Sequence, residues 1–367
     1  MSKCCPVKIT ILGCATRPWL KRWRYESRNC WRHSKQVYWE NMNKIADIPT
    51  IDISPLFGED REAKRRVALE INTACRGLGF FYATGHKIDV RRLQQEVNAF
   101  HWTMTDEEKF RIAIHAYNKA NPHVRNGYYM AIRGKKAVES FCYLNPSFTD
   151  EHSMIRAGAP LHEVNWWPDE SAHPNFRAYC EQYYKDVLDL SRVLLRGFAL
   201  SLGKNEDYFD RDVILDDTLS AVSLIRYPYL EDYPPQKLAP DGTKLGFDDH
   251  IDASIITVLF QTPVPNLQVE TPDGWLDLPV SANNFLINCG SYMAHLTNNY
   301  YPSPVHRVKW INAERLSLPF FVHAGHNTVL EPFQPDGKLG RSENQSIAYG
   351  EYLQHALKAL IEKNGQT

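Results

Sequence analysis

The sequence predicts an α+β protein with a mainly β core, a double-stranded β-helix (jelly roll) flanked by helices, and three observations carry that expectation. From residue 220 the chain becomes almost purely β: 220–227, 253–261, 267–271, 275–279, 284–289, 305–310 and 315–323 are short β-branched or aromatic runs, punctuated by Gly and Pro. Helical periodicity is confined to the first half and the C-terminus, so the strand–helix alternation of a parallel sheet is missing. Finally, 367 residues at 43% hydrophobic and 12% aromatic supply one large core, and no internal repeat divides it. Many short strands without intervening helices fit an antiparallel roll of two sheets.

In chain order, Pro49–Ser54 alternates like a strand, and residues 61–76 carry Val67, Ile71, Ala74 and Cys75 at helical spacing before Gly77 and Gly79. Phe80–Ala83 reads as a second strand. Asp89 caps a helix with Val90, Leu93, Val97 and Phe100 on one face, and Thr105–Glu108 is a capping box. The longest helix is expected over 175–202, with Tyr179, Tyr183, Val187, Leu190, Leu194 and Phe198 inward and Gly203 as its stop. Asp273-Gly274 is a hairpin turn between two of the later strands. A helix over about 347–362 closes the chain.

Residues 1–44 form a basic extension expected to lie outside the fold, and 45–367 a single domain. Residues 1–40 hold nine Lys/Arg against two acids, together with Trp19, Trp23, Trp31 and Trp39 below residue 42, without extendable apolar periodicity. Translation from Met42 would omit that segment. The rest of the chain has 33 basic and 41 acidic residues, which argues against a nucleic-acid partner, since such binding needs a basic face. No stretch approaches a membrane span, and the main domain is expected to need no membrane. The cysteines of the body, Cys75, Cys142, Cys180 and Cys289, form no CxxC pair, so reduced thiols in a cytoplasmic protein are expected.

Among fourteen histidines, His250 is the one followed two positions later by an acid, Asp252, and in extended backbone i and i+2 project to one face. A solvated loop pair is the bland alternative. His306 opens the strand-like run 305–310, and nine residues later Arg315-Leu-Ser317 begins another. Two imidazoles and one carboxylate on one face of iron(II) leave up to three positions open for substrate and dioxygen. Arg315 and Ser317 alternate onto one face of a strand that Leu316, Leu318, Phe320 and Phe321 mark as buried, so the guanidinium needs an anionic partner, a ligand carboxylate in preference to a surface salt bridge.

These residues resemble the jelly-roll iron(II) and 2-oxoglutarate oxygenase superfamily, whose pattern is HxD, a distal His some fifty residues on, and RxS; here the step from Asp252 to His306 is 54. Arg125-Asn-Gly-Tyr-Tyr129, Glu139-Ser-Phe-Cys-Tyr-Leu-Asn145, Ile225-Arg-Tyr-Pro-Tyr229, Asn288-Cys-Gly-Ser-Tyr-Met293, His306-Arg-Val-Lys-Trp310 and Lys363-Asn-Gly-Gln-Thr367 narrow the resemblance to its β-lactam-forming branch, over residues 45–367. The resemblance implies an oxidase using Fe(II), with O2 as cosubstrate and no 2-oxoglutarate, acting on the tripeptide δ-(L-α-aminoadipoyl)-L-cysteinyl-D-valine to close a β-lactam and a thiazolidine ring. It implies that His250, Asp252 and His306 hold iron, with Gln366 as a displaceable ligand. Tyr227, Arg315 and Ser317 would receive the valine carboxylate, and Arg125, with Tyr129, the aminoadipoyl end. Phe247, Leu259, Val308, Pro319, Phe321 and Leu360 would wall the pocket, for each of which ordinary core packing is an equal reading. Ala221 departs from the pattern, standing where some members carry a Ser, with Ser220 and Ser223 beside it. The expected form is a monomer. Two alternatives stay open: a 2-oxoglutarate-dependent oxygenase of the same fold, distinguished by Arg125 and the Asn364–Thr367 tail, and a non-catalytic ligand-binding member.

Overall fold

In the computed structural model, which describes residues 46–130, 138–212, 217–231, 238–335 and 344–363, the strands are β1 (Thr50–Asp52), β2 (Phe80–Thr84), β3 (Gly127–Tyr129), β4 (Glu139–Leu144), β5 (Ala221–Tyr227), β6 (Leu245–His250), β7 (Ile256–Gln261), β8 (Leu267–Thr271), β9 (Gly274–Asp277), β10 (Phe285–Cys289), β11 (His306–Lys309) and β12 (Arg315–Val322). The helices are α1 (Arg61–Arg76), α2 (Val90–Thr103), α3 (Asp106–Arg111), α4 (Ser153–Arg156), α5 (Phe176–Ser201), α6 (Tyr208–Asp212), α7 (Ser291–Leu296) and α8 (Tyr349–Lys363). One sheet has the order β1-β2-β10-β7-β12-β5-β4-β3 and the other β6-β11-β8-β9. Every pairing is antiparallel except β1 with β2. Residues from Ala46 onward make one compact α/β unit. Among the described residues no helix is long and apolar enough to cross a membrane.

The helix signals act as read. Asp60 and Asp89 accept backbone N–H bonds at the starts of α1 and α2, Thr105 and Glu108 form the capping box of α3, and Gly203 follows α5 with φ +70°. Tyr183, Val187, Leu190, Leu194 and Phe198 of α5 are buried, whereas Tyr179 is half-buried at the rim, with the Arg92 guanidinium 5.0 Å from its ring centre.

The large sheet is buried on both faces because each face meets a different layer. In β7, Ile256, Val258 and Phe260 pack toward α1 and α5, and so do Leu316, Leu318, Phe320 and Val322 of β12 and Phe285, Ile287 and Cys289 of β10. Each such side chain contributes about 1.5–3 kcal/mol relative to exposure, which ties the sheet to the helices behind it. The alternate residues, among them Thr257, Leu259, Asn288, Ser317 and Pro319, line the space between the sheets, with Phe247, His250, Leu267, His306 and Val308 from the small sheet opposite. The period of two thus divides each strand into a structural face and a face available for chemistry.

The sequence reading misplaced some boundaries for local reasons. The first strand stops at Asp52 because Pro55 opens a 3-10 turn, Ser54–Phe57. The run 253–261 is strand only from Ile256, since the residues before it form the loop that carries Asp252. Three strands were not expected: β3, β4 and β6, the last a Leu-Gly-Phe-Asp-Asp-His run without a β-branched residue.

Candidate metal centre and its pocket

β6 and β11 pair so that His250 stands directly opposite His306. In His250, Nδ1 lies 2.8 Å from the Asp248 carbonyl, and in His306, Nδ1 lies 3.1 Å from the Pro304 carbonyl. A carbonyl can only accept, so each Nδ1 carries a proton, and in the neutral imidazole, the form that binds a metal, Nε2 would be the ligating nitrogen. Both Nε2 atoms lie 3.7 Å from Oδ1 of Asp252.

Asp252 itself lies beyond the end of β6. It is held by the chain that follows β10: Ser291 N donates to its carbonyl at 2.8 Å, and the neighbouring Gly290 approaches Ser254 so closely that a Cβ there would collide with the Ser254 carbonyl. Its second oxygen, Oδ2, accepts from Thr257 Oγ1 at 2.6 Å and Asn288 Nδ2 at 2.9 Å. Thr257 and Asn288 are themselves a cross-strand pair of β7 and β10. Burial would raise the pKa of this carboxyl, but His306, His250 and the two hydrogen bonds outweigh it and hold the group below its usual value.

Among the described residues, His250, Asp252 and His306 are the one group of three His, Cys, Asp or Glu side chains whose ligand atoms lie within 4.8 Å of one another. Two neutral imidazole nitrogens and one carboxylate oxygen fit iron(II). Because Oδ2 is already engaged by two donors, Asp252 can offer the metal only Oδ1, and its supporting shell fixes that orientation.

Arg315 lies on the same interior face of the large sheet. It is 1% exposed, pairs across strands with Tyr227, and its guanidinium lies 4.9 Å from the Tyr227 ring centre. Nη2 donates to Gln261 Oε1 at 2.8 Å, while Nε and Nη1 are buried without a partner. Burial lowers its pKa, and neighbouring Tyr227 and Tyr82 only partly oppose this. A buried cation with two idle donors suits a carboxylate arriving from outside the protein. Ser317 faces Gln261 across β7 and, with Tyr227, lines a cavity of about 100 Å³ shared with the three metal-ligand candidates. Phe247, Leu259, Val308, Pro319 and Phe321 wall that cavity. A larger space of about 690 Å³ opens beside it, between His250, Asp252, Phe321 and His323 on one side and Tyr352, Leu353 and Leu357 of α8 on the other.

Arg125 and Tyr129 are not among the side chains lining these two cavities. Arg125 donates from Nη1 to the Leu161 carbonyl at 2.6 Å and from Nη2 to the Leu219 carbonyl at 3.0 Å, and Tyr129 donates to the Val124 carbonyl at 3.2 Å. The hydroxyls beside Ala221 are engaged elsewhere: Ser220 accepts from His323 N at 2.9 Å, and Ser223 lies 3.1 Å from the Cys142 sulfur. Gln366 and the Leu360 side chain lie outside the described residues. The residues that the sequence reading missed are Thr257, Asn288, Gln261 and His323. Only Asn288 had a signal, as the first residue of one quoted motif.

The family model described as 2OG-Fe(II) oxygenase superfamily matches residues 220–324, and that described as non-haem dioxygenase in morphine synthesis N-terminal matches residues 48–170. Among solved structures, a putative 2OG-Fe(II) oxygenase family protein from Caulobacter crescentus aligns with TM-score 0.69 at 22% identity, over 86% of this chain and 99% of that one. The dioxygenase for auxin oxidation in rice aligns with TM-score 0.62 at 21% identity, over 85% and 96%. Likeness at that identity speaks to the fold alone. Curated relatives are much nearer: isopenicillin N synthase of Streptomyces griseus is 67% identical over 88% of this chain and 98% of its own length, that of Lysobacter lactamgenus 58% over 89% and 100%, and that of Penicillium rubens 56% over 88% and 98%. With such identity over nearly the full length of each relative, the chain belongs to the isopenicillin N synthase family of the 2OG-Fe(II) oxygenase superfamily.

Proposed function

We propose that this chain is a non-haem iron(II) oxidase that converts δ-(L-α-aminoadipoyl)-L-cysteinyl-D-valine to isopenicillin N on a double-stranded β-helix. The observation that carries this reading is the presence, between the same two sheets, of a three-ligand face and a buried guanidinium with two unpartnered nitrogens. The substrate loses four hydrogens: the thiol S–H, the valyl N–H, one cysteinyl Cβ–H and the valyl Cβ–H. A C–N bond closes the lactam, a C–S bond closes the thiazolidine, and one O2 takes up four electrons and four protons as two waters. All four electrons come from the peptide, so 2-oxoglutarate has no role.

His250, Asp252 and His306 would hold iron(II), which when bound would supply the redox chemistry that couples the substrate's four electrons to O2. The protein's own part is placement. Arg315, Ser317 and Tyr227 receive the valine carboxylate, and Arg125 with Tyr129 the aminoadipoyl carboxylate. Phe247, Leu259, Val308, Pro319 and Phe321 exclude water around the reacting carbons. A displaceable iron ligand at Gln366 and a wall contact at Leu360 remain assigned by family resemblance. We read the enzyme as cytoplasmic, supported by the unpaired thiols Cys75, Cys142, Cys180 and Cys289, and as a monomer with a small-molecule substrate and no nucleic-acid partner, the last supported by the acidic balance after residue 40. Residues 1–44 are assigned as an extension outside the catalytic unit, supported by relatives that match about 88% of this chain but 98% of themselves.

The test is anaerobic loading with iron(II), then addition of O2 and the tripeptide, with and without 2-oxoglutarate. One O2 per bicyclic product and no effect of 2-oxoglutarate are expected; dependence on 2-oxoglutarate with release of succinate would overturn the reading. His250→Ala, Asp252→Ala and His306→Ala should each lose bound iron and all ring closure, and turnover retained in any one removes that residue from the ligand set.

A further inference from the structure

His323 follows β12 and continues its alternation, which puts the imidazole on the same interior side as Arg315, Ser317 and Phe321; its ring stacks with Phe321 at 6.4 Å. The residue is 6% exposed and pinned by its backbone: its N–H donates to Ser220 Oγ at 2.9 Å, and its carbonyl accepts from Thr218 and Ser220 hydroxyls. Nδ1 lies 2.6 Å from the Tyr349 hydroxyl, which is also 3.2 Å from the Ala253 carbonyl. Both contacts are satisfied when Tyr349 donates to Ala253 and His323 Nδ1–H donates to the Tyr349 oxygen. Nε2 is then an acceptor. No described residue bonds to it, and the ring lines the 690 Å³ cavity together with His250 and Asp252.

The imidazole is uncharged at neutral pH. Burial above all, and then the positive charge of Arg125, push its pKa down to about 3, with Asp252 opposing. His323 therefore feels both Arg125, proposed for the aminoadipoyl carboxylate, and Asp252 at the metal centre. A peptide held in the cavity beside His250 and Asp252 meets a fixed neutral acceptor. We infer that His323 Nε2 accepts a hydrogen bond from the N–H of the amide joining the aminoadipoyl arm to cysteine, fixing the cysteinyl residue with its thiol toward the metal ligands. This assignment rests on the tripeptide reading above.

The experiment compares, by calorimetry on the iron(II) protein without O2, the tripeptide and its depsipeptide in which that N–H is replaced by an ester oxygen. In the parent the amide should bind roughly 5- to 15-fold more tightly, the worth of one hydrogen bond. In His323→Leu the preference should fall below about twofold, whereas His323→Gln, which keeps an acceptor, should retain at least about threefold. The altered ester carbonyl affects every protein equally and cancels in the ratio, and a packing defect lowers both affinities together. Equal affinity for amide and ester in the parent overturns the assignment without any variant. So does a Leu variant that keeps the parental ratio, or a Gln variant that behaves like Leu. A parent that binds neither ligand overturns the tripeptide reading instead.

Discussion

Arg315 and Arg125 are proposed for the two ends of one substrate, yet the fold treats them differently. Arg315 stands on the interior face of a central strand with two guanidinium nitrogens unpartnered. Arg125 lies outside regular secondary structure with Nη1 and Nη2 both donating to backbone carbonyls, Leu161 and Leu219. The first has two donors left over that an anion could take. The second ties two segments together and must exchange or share existing bonds to bind one. The metal centre resembles neither, since Asp252 and both histidines have their non-ligand atoms engaged by the protein. Pre-organisation is therefore greatest at the ligand triad, while the affinity that substrate binding can still gain is greatest at Arg315.

The largest expected effect in this comparison is that of Arg315→Met. Two charge-assisted hydrogen bonds to the valine carboxylate would be lost, each worth about 1.5–3 kcal/mol, so kcat/KM should fall roughly 10²- to 10⁴-fold. Iron content should stay at the parental level, because no ligand atom depends on the guanidinium. A fall below about tenfold, measured by steady-state O2 uptake with the tripeptide, would break the contrast at its stronger end.

The reasons for the asymmetry were only partly legible in the sequence. Arg315-Leu-Ser317 could be read because the period-two rule acts within one strand, and His250-Ile-Asp252 and His306 from their spacing, although Asp252 lies in the loop past the end of β6. What supports them could not, because it lies across strands: His306 opposite His250, Asn288 opposite Thr257, Arg315 opposite Tyr227 and Ser317 opposite Gln261. Register is not written in any single segment, so nothing local marks Thr257 or Gln261 out within the run 253–261. Most later strands were legible from their β-branched runs. β6 was not, because Gly246, Asp248 and Asp249 break the pattern at a strand whose task is to deliver His250. β4 carries Glu139, whose burial depends on Lys109 and Arg226 from distant parts of the chain. Arg125 was legible only by resemblance, and its bonds to Leu161 and Leu219 have no local signature.

Arg125→Ala is expected to have the smaller kinetic effect. A charge-assisted bond of about 1.5–3 kcal/mol allows a 10- to 150-fold loss in kcat/KM, and the need to release two carbonyls places the outcome in the lower part, about 10- to 30-fold. The loss should appear in KM more than in kcat, since the aminoadipoyl end is remote from the bonds that change. A tripeptide lacking the aminoadipoyl carboxylate should be handled alike by parent and variant. If the variant still discriminates against that analogue as strongly as the parent does, Arg125 is not its receptor.

The smallest effect is the sharpest in sign, and it concerns the ligand-free protein. A buried polar group without a partner costs about 1–3 kcal/mol, so Arg315→Met, which removes two idle donors but also the one bond to Gln261, should on balance raise Tm by roughly 2–6 °C. Arg125→Met removes two made bonds and leaves two carbonyls unpartnered, so it should lower Tm by a similar amount. Differential scanning calorimetry of the metal-free proteins compares them directly. Opposite signs would establish that one arginine is held for a ligand at the expense of stability and the other is part of the fold. If both variants melt below the parent, the idle nitrogens cost less than the Gln261 bond contributes, and Arg315 is not held at the expense of stability.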